Sequence, residues 1–260
     1  MKRWMLTSLA MLLASATLPV LAQVQVRVEG AVDHPGVLNL KDSARLSDAA
    51  LAAQVRPDAY MLGAAWLRPS LQSEQQRQKA GVLFDLDSLH LQALQRGDAA
   101  LADEVGRLRN RIAALPVTGR VPALLDPRPV EANAAANLPL QPGDRLFYPL
   151  RPTTIRVVGA VQQPCTLPLQ AMQGARSYLA ACPYSRRADH DWIYVIEPDG
   201  RVFRQGVALW NRDPPRPLAP GAWIYVPFDR HAIAGAADEA FNRDVAAFLA
   251  TQVPGDGGGP

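Results

Sequence analysis

The residue best suited to chemistry in this 260-residue chain is Arg120, which closes Thr118-Gly119-Arg120 between Pro116 and Pro122. Gly119 lets the backbone bend and the prolines stiffen it on either side, so the side chain is presented with little freedom. Its planar fork of donors suits a carboxylate or phosphate gripped through two parallel hydrogen bonds. A second use is open to it: a basic side chain at this point can satisfy carbonyls at the end of a helix finishing near Leu115. Asp126 is a nearby acid. An arginine with one carboxylate and no identifiable nucleophile is weak ground for catalysis, whereas it is normal for holding an anion.

Other signatures of catalysis are missing. The chain has no Gly-x-Ser-x-Gly elbow, phosphate loop, dinucleotide fingerprint or His-Glu-x-x-His. His34, His90, His190 and His231 are scattered, and Asp189-His190-Asp191 reads as a polar loop before a strand rather than a cation site. Asp85 and Asp87 are two apart on a helix and do not face each other. No catalytic residue, metal ligand or cofactor is therefore expected.

The elements that must hold these residues come in two copies. Val26 to Leu40 reads as strand, turn, strand through Gly30-Ala31-Val32 and Pro35, and Ile155 to Leu169 repeats it through Gly159-Ala160-Val161 and Pro164. Glycine inside a strand pattern marks a bulge or a close backbone approach. A second piece closes each copy: Pro142-Gly143 before Leu146-Phe147-Tyr148, and Pro220-Gly221 before Ile224-Tyr225-Val226. The chain is two small β-rich modules. A helix capped by Ser47, with Leu46 packing on Leu51, is expected to cross the first, and Ala175 to Cys182 corresponds to it in the second. Asp199-Gly200 between apolar runs predicts a hairpin from Trp192–Ile196 to Arg201–Arg204.

The first copy carries extra length at about 70–115. Leu83, Leu86, Leu89 and Leu94 mark one helix face; after a turn with Asp98 as N-cap, Leu101, Val105, Leu108, Ile112 and Leu115 mark another. Two such stripes make an antiparallel hairpin. Leu150 to Thr154 is a short linker stiffened by Pro152. A C-terminal helix, apolar through Phe241, Val245, Phe248 and Leu249, ends before a tail of glycines.

Residues 1–22 read as a cleaved signal peptide: Lys2 and Arg3, an apolar core, then Val20-Leu21-Ala22, with Gln23 beginning the mature chain. The residue directly after that site is Gln23 rather than a lipid-accepting cysteine, and no later stretch is apolar enough to span a membrane. The formal net charge of +3 owes Lys2 and Arg3 to the leader, so the mature chain is near neutral and offers no electrostatic case for nucleic acid. In an exported chain, Cys165 and Cys182 favour a disulfide that pins the first hairpin of the second module to its crossing helix, against the alternative of two buried thiols.

Val-x-Gly-Ala-Val-x-x-Pro with a closing Pro-Gly-Asp strand resembles the soluble ligand-binding β-grasp (SLBB) modules of polysaccharide-export proteins. The full order, including Thr118-Gly119-Arg120 after the hairpin and Leu209-Trp210-Asn211 in the second module, resembles the capsule-biosynthesis GfcC family over essentially the whole mature chain. The resemblance implies an α+β fold of two tandem β-grasp modules, 23–150 and 151–230, with the hairpin inserted in the first. An amphipathic C-terminal helix at 231–254 and a disordered tail at 255–260 complete it. It also implies a periplasmic accessory protein of capsule or exopolysaccharide assembly, similar to the soluble domains of the exporter Wza. Its partners would be a polysaccharide or lipid-linked saccharide, or outer-membrane export proteins. The ligand-binding candidates are Arg120, Thr118, Gly119, Asp126 and Trp210, in a cleft between or beside the modules, with Trp66 and Tyr148 as further stacking faces for sugar rings. Cys165 stands where the first copy has Gly36 and bears on the turn alone. Two rival readings are a carbohydrate-modifying enzyme centred on Arg120 and an oligomeric export subunit whose C-terminal helices line a pore.

Overall fold

The computed structural model describes residues 23–123 and 125–254; the expected signal peptide and tail lie outside the described residues. In module 1, β1 (Gln23–Gly30) and β2 (Gly36–Lys41) form a hairpin and α1 (Leu46–Ala53) crosses them. Strand β3 (Ala65–Leu67) leads into a helical hairpin, α2 (Gln72–Gln95) and α3 (Ala99–Ala114). The two-residue β4 (Arg120–Val121) returns to the sheet, and α4 (Pro127–Ala132) precedes the closing β5 (Arg145–Tyr148). Module 2 repeats the plan with β6 (Thr154–Gly159), β7 (Cys165–Pro168), α5 (Ala175–Ala181), β8 (Trp192–Ile196), β9 (Val202–Gly206) and β10 (Trp223–Val226), then adds α6 (Arg230–Ile233) and α7 (Phe241–Ala250). The sheets run β2-β1-β5-β3-β4 and β7-β6-β10-β8-β9, each with a parallel central pair. The fold is mixed α+β, with two five-stranded sheets in tandem.

The repeated glycine has a steric cause. Gly30 has φ +93°, and a Cβ there would lie 2.1 Å from the Tyr148 carbonyl oxygen; Gly159 has φ +102°, and its Cβ would lie 2.1 Å from the Val226 oxygen. Only glycine lets the end of the first strand pass this close to the closing strand. The next amide then donates to that same carbonyl, Ala31 to Tyr148 at 2.7 Å and Ala160 to Val226 at 2.9 Å.

The helical hairpin occupies the place of the β8–β9 turn of module 2, where Gly200 sits at φ +87°. Its apolar stripe does not cover its own module. Leu86, Leu89, Leu101, Val105, Leu108 and Ile112 share one buried core with Ile155, Val157, Ile224 and Tyr225, while β1, α1, α4 and β5 enclose a separate core. Burial of each large aliphatic side chain contributes about 2 kcal/mol, so the hairpin fastens module 1 to module 2. The inner face of α2 is Val82, Leu86, Leu89 and Ala93; Leu83 is partly buried against this core and Leu94 is exposed, because steps of four, three and four track the helix better than the run of leucines.

Two further expectations change. Helix α1 is capped at Arg45, whose backbone N–H donates to Asp48 at 2.8 Å, while the Ser47 hydroxyl accepts from Asn137; Leu51 is exposed and forms no staple. The single helix expected over 231–254 is instead two, α6 and α7, separated by a turn through Gly235 at φ +83°. Phe241, Val245, Phe248 and Leu249 of α7 are buried in the module 2 core. Among the described residues no helix is long and apolar enough to cross a membrane.

Candidate functional site

Thr118, Gly119 and Arg120 meet as a clamp. Gly119 has φ +73°, and a Cβ there would lie 2.3 Å from the Arg68 carbonyl, so this close crossing also requires glycine. Gln75, buried on α2, holds the segment from both sides: its amide oxygen accepts from the Gly119 N–H at 2.8 Å and its nitrogen donates to the Arg120 carbonyl at 3.1 Å. The Thr118 hydroxyl donates to the Thr251 carbonyl at 2.8 Å.

Arg120 is 5% exposed. Its guanidinium donates to the carbonyls of Gln252 at 2.6 Å, Ala250 at 3.4 Å and Pro198. It therefore closes the C-terminal end of α7, where unpaired carbonyls and the negative helix end favour a cation, and ties it to the β8–β9 turn. Burial pulls its pKa down to about 10, with Asp199 opposing, which leaves it charged at neutral pH. The expectation that Arg120 faces a groove is corrected: its donors point at main-chain oxygens. The helix it caps is also not the one ending near Leu115. Lys79 serves that end, donating to the Ala113 and Leu115 carbonyls at 2.8 and 2.6 Å.

Asp126 and Trp210 do not join the clamp. Asp126 caps α4 by accepting from the Arg128 N–H at 3.2 Å. Trp210 lies on the outer side of module 2, 71% exposed. Trp66 and Tyr148 are buried in module 1. The five candidates do not form one site. Cys165 and Cys182 are bonded, joining the start of β7 to the end of α5.

An open cavity of about 610 Å³ lies where the two sheets meet the linker. Arg56 reaches it from module 1, Arg151 from the linker and Arg156 from β6, while Tyr148 and Trp223 beside it are buried; no acidic residue is among its described lining residues. Arg156 stacks on Trp223, 5.1 Å from the ring centroid, and Arg151 lies 5.5 Å over the Tyr60 ring. Arg56 pairs with Asp58, which is not among the lining residues. Burial pushes the Tyr60 phenol up to about 12, with Arg151 opposing, so it stays neutral. Pro149 and Pro152 hold the linker stiff on either side of Arg151, and the Arg120 clamp fixes the modules beside it. The arrangement is a rigid, positively charged cleft fitted to an anion. Sequence reading passed over these arginines. Arg151 between two prolines was a usable signal; Arg56 and Arg156 carried none, because each converges on the cleft only through tertiary packing.

Comparison with known proteins places the chain in context. A family model described as "Capsule biosynthesis GfcC, N-terminal" matches residues 22–151, and "Capsule biosynthesis GfcC C-terminal" matches residues 163–254. The chain is 30% identical over 178 residues to "Uncharacterized protein YjbG" of Escherichia coli (strain K12), covering 67% of this chain and 72% of that protein.

Proposed function

Because the chain belongs to the capsule-biosynthesis GfcC family, we propose that it is a periplasmic accessory protein of capsule or exopolysaccharide assembly that binds an acidic saccharide in the inter-module cleft. Each module is read as a β-grasp of the soluble ligand-binding kind, and the mature chain as beginning at Gln23 after export. The observation that carries the binding role is the cleft, where three arginines converge and no described lining residue is acidic. Guanidinium groups grip carboxylates bidentately, which suits the uronate carboxylates of an acidic saccharide. The rival enzyme reading loses its centre: the donors of Arg120 are engaged by carbonyls and Asp126 caps a helix elsewhere.

Arg151 is exposed, so Arg151→Glu should leave stability within about 0.5 kcal/mol. Loss of a charge-assisted contact should weaken polyuronate binding about tenfold or more. Capsule output should fall with it in a strain carrying only the variant. An Arg56→Glu, Arg151→Glu double variant that binds and supports output like the wild type would overturn the cleft assignment.

A further inference from the structure

Module 2 carries a second exposed feature, on the segment 207–213 between β9 and β10. This segment is tightly braced. The Val207 N–H donates to the Asp191 carbonyl at 2.9 Å, and the Asn211 side chain donates to the same carbonyl at 3.0 Å. The Ala208 N–H donates to the Asn211 side-chain oxygen at 3.1 Å, and the Gly206 N–H to Asp213 at 2.7 Å. A Cβ on Gly206 would lie 2.0 Å from the Asn211 carbonyl, so the strand end and the loop are in main-chain contact.

What this bracing displays is apolar. Leu209 is 85% exposed and Trp210 is 71% exposed. The Trp210 ring is held in place: its Nε1–H donates to Asp191 Oδ1 at 3.0 Å, and it stands edge-on to Trp192 with centroids 6.3 Å apart. The Arg204 guanidinium lies 3.9 Å from the Trp192 ring centroid, and Arg204 faces Tyr194 across the β8–β9 register. Trp210, Trp192, Arg204 and Tyr194 form one continuous strip across β8, β9 and the loop that follows. Among the described residues no hydrogen bond uses the Arg204 guanidinium. A tryptophan fixed in water gains nothing for folding beyond its edge contacts, but it has already lost the rotamer freedom that a ligand would otherwise have to remove.

We propose that this strip is a second saccharide-binding platform, taking a pyranose ring on the face of Trp210 and its carboxylate on Arg204. The electropositive C–H face of a pyranose complements the negative face of an indole, and a planar guanidinium complements a uronic carboxylate. An acidic glycan chain is the occupant because an indole ring fixed in water and a guanidinium beside it match a uronate ring and its carboxylate, whereas an anionic membrane surface is held by clusters of Lys and Arg next to an apolar helix face. The inference rests on the reading that the protein handles acidic saccharide, and it adds a place outside the cleft where it does so.

The test uses the mature full-length protein against polygalacturonate, alginate and hyaluronate, with dextran as the uncharged control and phosphatidylglycerol-containing vesicles as a separate arm. Trp210→Ala and Arg204→Ala should each lower affinity for a bound polyuronate at least fivefold without shifting Tm by more than a degree or two. Arg151→Glu should lower it independently, and the combination with Trp210→Ala should be weaker than either. Platform variants that bind as the wild type while Arg151→Glu does not would overturn the platform and leave the cleft standing. Vesicle capture by the wild type that Trp210→Ala abolishes, with polyuronate affinity unchanged, makes the tip a membrane contact and also overturns it. A wild type that binds none of the three polyuronates overturns both readings.

Discussion

Truncating Arg120 should unfold the protein's C-terminal end before it affects any ligand. Arg120→Ala leaves the Pro198, Ala250 and Gln252 carbonyls without their donor in a buried place. A hydrogen bond to a charged donor is worth about 1.5–3 kcal/mol, and a buried acceptor left alone costs about 1–3 kcal/mol. The Ala250 contact, at 3.4 Å, adds little, so two full bonds remain to be counted. The loss is then roughly 3–5 kcal/mol. For a chain of this size each kcal/mol moves Tm by about 2–4 °C, so Tm should fall by roughly 10 °C or more. Arg120→Lys keeps the charge and reaches one carbonyl, and should recover about half of the loss. Urea unfolding followed by tryptophan fluorescence gives the energies, and limited proteolysis shows whether α7 is released first. Polyuronate affinity is measured below the transition on the same variants. If both variants stay within about 1 kcal/mol of the wild type while affinity collapses, Arg120 faces ligand and the clamp is wrong.

Gly159→Ala should be severely destabilising, because its Cβ would fall 2.1 Å from a main-chain oxygen at φ +102°; Gly36→Ala, at φ +128° with nothing within 4 Å, should cost only backbone strain. Thermal melts of the two side by side check this, and equal losses would refute the close-approach argument. Glu197 is 8% exposed, with Oε2 lacking a hydrogen bond among the described residues, and burial first and Asp199 second raise its pKa. A carboxyl whose folded pKa lies above its unfolded value contributes stability at acid pH that is lost as pH rises through the folded pKa. Glu197→Gln should therefore raise the urea midpoint at pH 7 and flatten its gain toward pH 5; a lower midpoint at pH 7 would show the carboxylate to be stabilising.

Much of the architecture was legible from one dimension, because it rests on local stereochemistry. Gly30 and Gly159 declared a close approach, the spacing of Leu101, Val105, Leu108 and Ile112 declared a helix with one buried face, and Asp199-Gly200 declared a hairpin turn. Each depends on the φ range of a residue or the pitch of a helix, which neighbours in sequence fix. Periodicity says that a face is buried, not against what, and only the folded chain shows the hairpin of module 1 in the core of module 2. The same limit governed the site. Thr118-Gly119-Arg120 stood out as a rigidly presented cation, but its acceptors lie 78 to 132 residues away, on a turn and a helix end that nothing near it in sequence announces. Arg56, Arg151 and Arg156 look like ordinary surface arginines until the linker folds the two sheets together. Residue type and its neighbours determine the charge and stiffness of each group; the direction in which each points was set by long-range packing, because a side chain's partner is whatever the rest of the chain brings within about 3 Å of it.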